Sequence, residues 1–176
     1  MKTDLTVLLR ALDFAAGKHR DQRRKDHHAT PYINHPIAVA RVLVEEGGVS
    51  DTATLVAAIL HDTIEDTQTT HAELVKEFGE AVADVVHEVT DDKTLEKTAR
   101  KAMQVEKAHR LSRRAKLVKL ADKTCNLRDI ISAPPKGWSE ERKDEYFRWA
   151  EDVVTAMGRM DSPLLDVFRR ARAARG

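Results

Sequence analysis

Residues 55–67 read LVAAILHDTIEDT, and this stretch decides the fold. Its first six residues are apolar on every face of a helix, so that helix must run through the interior rather than along a surface. Asp51 stands before it as a capping residue. The same helix is expected to continue into His61, Asp62, Glu65 and Asp66, with His61 stacked on Glu65 and Asp62 on Asp66 at i,i+4 spacing. Three carboxylates at the end of a buried helix repel one another and lose hydration unless a cation compensates. A bound divalent metal supplies that compensation; so would a pair of basic side chains.

An interior helix needs others around it, and the rest of the chain reads as helices. Leu5, Leu8, Leu9, Leu12 and Ala16 make one stripe and predict a helix over residues 4–18. Residues 21–34 are polar and read as a loop. Pro36 at a first helical position and Gly47-Gly48 past the end bracket the next helix, with Ile37, Ala40 and Val44 as its buried stripe and Leu43 beside it. Thr70 and Glu73 form a capping box for a short helix ending near Gly79, and Val82, Val85, Val86 and Val89 mark another. A charged helix is predicted from Thr94 to about His109 and an apolar-rich one over AKLVKLADKTCNLRDI. Two more open at Ser139 and at Ser162-Pro163, the last running into an Arg/Ala-rich tail that reads as a solvated helix end. No strand-like alternation, repeat or linker intervenes. The expectation is an all-α fold, one compact multi-helix domain over residues 1–176.

Composition agrees with that class. The chain is 41% hydrophobic and 34% charged with 7 Gly and 5 Pro, which suits a helical globular domain and argues against disorder. A net charge of +1 provides no global field toward nucleic acid or membrane. With 5% aromatic residues there is little surface for stacking bases, so a nucleic-acid binder is the least supported class. Basic clusters at Arg23-Arg24-Lys25, Arg113-Arg114 and Arg169-Arg170 leave a local anion site open. MKTDLTVLLRALDF is interrupted by Asp4 and Arg10, which argues against a signal peptide, and no stretch approaches the ~20 apolar residues of a membrane span. The lone Cys125 excludes an internal disulfide and reads as a buried thiol; a cytoplasmic setting is expected.

Two further ligand candidates stand out by context. His35 sits at the mouth of a helix beside Pro36, and Asp122 lies in LVKLADKTCNL on a face shared with Val118 and Cys125. His35, His61, Asp62 and Asp122 together give two imidazoles and two carboxylates, leaving room on an octahedral ion for water and substrate oxygens. The set suits manganese, and iron, zinc, cobalt or nickel would also bind it. Taken singly, His35 reads as a packing residue, His61-Asp62 as a dipeptide too short to be specific, Glu65 and Asp66 as a solvated helix end, and Asp122 as the partner of Lys119 or Arg128. Four separate bland explanations are then needed at sites flanked by apolar helix.

A first His, an adjacent His-Asp and a distant Asp resemble the HD superfamily of metal-dependent phosphohydrolases. TPYINHP, AAILHDTIEDT, FG followed by VTDDKT, and KLADKTCNLRDI are similar to the alarmone-hydrolase domain of the RelA/SpoT proteins, and GWSEERKDEYFRWA to the stand-alone small alarmone hydrolases, the group that includes metazoan SpoT homologues. The resemblance runs from about Leu8 to about Ala156. It departs at Thr124-Cys125, where bifunctional members carry Leu-His, so inferences from that pair do not transfer.

The resemblance implies removal of 3′-pyrophosphate from guanosine tetra- or pentaphosphate, releasing GDP or GTP. It implies metal ligation by His35, His61, Asp62 and Asp122, with manganese the usual ion, and water activation by Glu65 and Asp66. Arg24 and Asn126 fall near the metal and nucleoside, and Lys97, Arg142 and Tyr146 toward the phosphates. Tyr32 is expected to pack beside His35. Synthesis of the alarmone is not expected, because the chain stops where longer relatives continue into a synthetase. Adenosine alarmones and the 2′-phosphate of NADPH stand as alternative substrates. A non-catalytic alarmone sensor is the competing binding-module reading, against which the Glu65-Asp66 pair speaks. The partner expected is a small nucleotide, with no nucleic acid or membrane; the oligomeric state stays open.

Overall fold

In the computed structural model of the chain, which describes residues 4–175, the apolar run folds as predicted through the middle of the molecule. Helix α3 (Thr52–Leu60) is buried continuously from Thr54 to Leu60, and Asp51 accepts from the Thr54 amide at its start. Around it lie α1 (Leu5–Lys18), α2 (Asn34–Glu45), α6 (Glu80–Val89) and α8 (Arg113–Ser132), which all pack on α3. The single turn α4 (Thr63–Asp66) follows α3 directly, and α5 (His71–Phe78) pairs with α6. Helix α7 (Lys97–Lys107) pairs with α9 (Glu140–Ala156) at one side, while α10 (Leu164–Ala173) covers the outer face of α8. No strand forms among the described residues; the nearest is one bridge between Arg23 and Pro31 inside the 19–33 connection.

Local chemistry accounts for the boundaries. Thr70 accepts from the Glu73 amide at 3.1 Å, but the Glu73 carboxylate turns outward to Lys18 at 2.8 Å, so only half of the expected capping box is made. Gly79 ends α5 and opens α6 at φ 86°, a left-handed conformation that favours glycine. Gly47 admits no side chain: a Cβ there would stand 2.7 Å from the Leu43 carbonyl and 2.8 Å from Leu164. Each fully buried leucine of this core, such as Leu43, Leu60 and Leu120, contributes about 2 kcal/mol by leaving water.

The structure corrects four expectations. Helix α1 buries Ala11 and Ala15, while Leu5 and Leu9 face outward at 71% and 65% exposure. The small alanine face lets α1 lie close on α3, and a row of leucines would hold it away. Helix α2 buries Val39, Val42 and Leu43, whereas Ile37 and Val44 are exposed, because its face is set by insertion between α3 and α8. The helix through 55–67 is broken at His61-Asp62: the Thr63 hydroxyl donates to the Leu60 carbonyl at 2.7 Å and closes α3 before α4 begins. The Arg-rich tail is more than a solvated end, since Arg172 pairs with Glu151 and Arg175 with Asp144 and Glu140 on α9.

Candidate active site

The break after α3 is what assembles the site. His61 Nδ1 donates to the Ala58 carbonyl at 2.8 Å, which fixes the ring and turns Nε2 inward. There Nε2 lies 3.0 Å from Asp62 Oδ2 and 3.8 Å from Asp122 Oδ1, yet it is buried and makes no aligned hydrogen bond among the described residues. His35, at the start of α2, brings Nε2 to 3.1 Å from Asp122 Oδ1. Ligand atoms of His35, His61 and Asp62 all lie within 4.8 Å of one another, and Asp122 reaches both rings from α8. The orphaned His61 nitrogen, crowded by the other donors, marks their common point. They border a cavity of about 150 Å³, and as a mixed nitrogen and oxygen set they fit a divalent transition metal.

The alternative partners proposed for Asp122 are occupied elsewhere. Arg128 grips Glu46 with two hydrogen bonds of 2.6 and 2.9 Å, and Lys119 donates to the Val89 carbonyl at 2.7 Å. Asp122 instead accepts from Asn126 Nδ2 at 2.6 Å and from Lys123 Nζ at 3.2 Å. Burial opposes its ionisation, but the Lys123 ammonium and the His35 ring hold its carboxyl well below the usual range. Burial likewise pulls the His61 imidazole down, and the Asp62 and Asp122 charges outweigh it, lifting His61 to about 9. A proton on His61 thus does part of the work that a metal cation would do.

Glu65 and Asp66, on α4, border the same cavity. Burial, followed by the charges of Asp91 and Asp62, pushes the Glu65 carboxyl up to about 7, where it can take and release a proton near neutrality. Asp66 pairs with Lys93, and its backbone carbonyl accepts from Gln22 Nε2 at 2.7 Å.

Two larger cavities adjoin that cavity and each other. One, of about 620 Å³, is lined by Arg24, Tyr32, Asn126, Ile130, Trp138 and Tyr146, a mixture suited to a nucleoside. Arg24 is held at its edge by Asp129 at 2.6 Å and Asn126 at 3.3 Å. The other, of about 420 Å³, gathers Lys25, Lys97, Arg100, Lys101 and Arg142. Burial and repulsion from neighbouring cations pull Lys97 and Lys101 below the ordinary lysine range, against the opposing charge of Glu145. Tyr146 borders both cavities, and the Arg142 guanidinium stacks 4.4 Å over Trp138. Every residue given a ligand, water-activating or substrate role in the sequence therefore borders one of three adjoining cavities.

Several neighbours escaped the sequence reading. Tyr32 does touch the His35 ring, but its hydroxyl also donates to Asp62 Oδ2 at 2.6 Å; burial and the Asp62 charge keep that phenol protonated. Lys123 is buried with its ammonium 4.2 Å over the Trp149 ring. Asp91 and Gln104 border the metal cavity from the far side. For Lys123 the signal was its place next to Asp122, and for Asp91 its place in the VTDDKT motif; for Gln104 there was none. Thr124 and Cys125 are buried in α8, with the thiol pushed up to about 12 by burial and Asp122, and neither lines a cavity described above.

The helical frame with paired histidines and aspartates at its centre defines an HD domain. The chain belongs to that family, whose HD domain model matches residues 11–148. At closer range it is 53% identical to guanosine-3′,5′-bis(diphosphate) 3′-pyrophosphohydrolase MESH1 of Xenopus tropicalis over 174 residues, covering 94% of this chain and 97% of that protein. It is 53% identical to the Homo sapiens protein of the same name over 176 residues, covering 100% and 98%. A solved structure described as a metazoan ortholog of SpoT that hydrolyzes ppGpp superposes with a TM-score of 0.94 at 44% identity, covering 100% of this chain and 99% of that one.

Proposed function

We propose that this chain is a manganese-dependent 3′-pyrophosphohydrolase that converts ppGpp or pppGpp to GDP or GTP and pyrophosphate. One observation carries the reading: a mixed His/Asp donor set and an ionisable Glu65 adjoin both a cavity suited to a nucleoside and a cavity rich in cations. A substrate with phosphates on both sides of its ribose needs all three compartments together. The activities named for the similar proteins point the same way.

His35, His61, Asp62 and Asp122 hold the ion, with Tyr32 orienting Asp62 and Asn126 orienting Asp122. The ion, when bound, supplies Lewis acidity toward phosphate and acidifies water. Glu65 and Asp66 orient the attacking water, and Glu65 accepts its proton. Lys97 and Arg142 neutralise charge on the phosphate oxygens, the arginine through forked contacts and the lysine as a point charge. Arg24, Asn126 and Tyr146 seat the nucleoside side. The chain acts as one domain on a small nucleotide, without nucleic acid. A cytoplasmic setting is in keeping with the single buried thiol; among the described residues no helix is long and apolar enough to cross a membrane.

The test is product analysis. Manganese-loaded protein is incubated separately with ppGpp, pppGpp, ppApp and NADPH, and products are separated by anion exchange. Release of pyrophosphate from ppGpp with GDP as co-product supports the reading. Consumption of ppApp or NADPH alone reassigns the substrate, and consumption of none overturns the hydrolase.

A further inference from the structure

Glu65 stands on a single turn, which is too short to fix a side chain by its own packing. What holds it comes from elsewhere. The Asp91 backbone N–H donates to Glu65 Oε2 at 3.1 Å. Asp91 lies just past the end of α6, where Lys119 Nζ, buried in α8, donates to the Val89 carbonyl and pins the last turn. The Asp91 carboxylate in turn accepts from Gln104 Nε2 of α7. Gln104 Oε1 is buried and has no hydrogen-bond partner among the described residues, so the donation from Nε2 to Asp91 is what anchors this amide.

Helix α7 also carries Lys97 and Lys101, seven and three residues before Gln104 and therefore on the same face. Gln104 borders both the metal cavity and the basic cavity. The helix that presents cations to phosphate is thus the helix that steadies Glu65.

We propose that Asp91 and Gln104 are positioning residues for Glu65: the Gln104 amide fixes the Asp91 carboxylate, and the Asp91 peptide N–H then aims the Glu65 carboxylate into the metal cavity. The proposal rests on the reading of Glu65 as the group that handles the attacking water. Neither residue reaches the reacting atoms; both act through Glu65. Because α7 carries the tether, seating of a phosphate on Lys97 and Lys101 and alignment of Glu65 are set by one rigid element.

The test uses full-length, manganese-loaded protein and ppGpp, with kcat, KM and bound manganese measured for each variant. Gln104→Leu and Asp91→Ala are expected to lower kcat about tenfold, as loss of one charge-assisted hydrogen bond does, with KM and metal content within about twofold of the parent. Asp91→Asn keeps an oxygen for the Gln104 amide and recovers most of the loss seen with alanine. The deciding arm is the Glu65→Gln background, where adding Gln104→Leu lowers the residual turnover no further. An equal fall in that background, or a change in KM with kcat unaltered, overturns the proposal. If Glu65→Gln alone turns over like the parent, the reading of Glu65 fails and this proposal with it. If Glu65→Gln is impaired and Gln104→Leu is not, only the positioning role falls. Should Asp91→Ala not fold, Gln104→Leu carries the test alone.

Discussion

Glu65→Gln should make the metal-free protein more stable while nearly abolishing its turnover. In the folded chain the Glu65 carboxyl is raised from 4.5 to about 7, first by burial and then by Asp91 and Asp62, against the opposing Asp91 N–H. A difference of that size is worth on the order of 3 kcal/mol, reduced to about 2 because the carboxylate keeps some solvent. The sign follows from linkage: an acid with a raised folded pKa favours folding when protonated. Below pH 4.5 both states are protonated and glutamate carries no penalty. Between 4.5 and 7 only the folded state takes up the proton, so the penalty grows with pH, and above 7 it is complete. Glutamine keeps an oxygen for the Asp91 N–H but carries no charge. Urea unfolding of EDTA-treated parent and variant should therefore coincide near pH 4 and differ by about 2 kcal/mol at pH 8.5, the variant being the more stable. A variant no more stable than the parent at pH 8.5 would show that Glu65 is not confined with uncompensated charge, and would refute the reasoning.

Asp122→Ala should lose manganese and turnover together, checked by elemental analysis beside product formation; a variant with stoichiometric manganese removes Asp122 from the ligand set. Tyr32→Phe deletes the hydrogen bond to Asp62 and should weaken manganese binding about 10- to 100-fold with little effect on folding, read by metal titration; unchanged affinity would leave Tyr32 a packing residue. Activity of the manganese-loaded parent should rise with pH as Glu65 ionises, in a range below 7 because the bound cation favours the carboxylate, and that limb should vanish from the kcat/KM profile of Glu65→Gln. Arg24→Ala should raise KM for ppGpp with kcat less affected, since its Asp129 partner is 44% exposed and tolerates the loss; identical saturation curves would take Arg24 out of the substrate site.

The sequence by itself determined the centre of this protein. LVAAIL has no polar face to offer water, so it had to be interior, and the polar residues that follow had to meet one another or a cation. The same logic applied to Asp122 in an apolar run of α8. Helix caps at Asp51, Thr70, Ser112 and Ser139 are local hydrogen bonds, and three of these, all but Ser112, were legible as such. Tertiary structure decided which side of each outer helix turns inward. Periodicity finds an apolar stripe, but α1 and α2 each carry apolar residues on more than one side, and the choice falls to the neighbour: α3 accepts Ala11 and Ala15 closely, and α8 accepts Val39 and Leu43. It also decided the supports of the site. Tyr32 with Asp62, Gln22 with Asp66, Asp91 with Glu65 and Lys119 with Val89 are joined across 26 to 44 residues. Such hydrogen bonds have no spacing rule, because they depend on where the helices lie and not on how a single helix repeats.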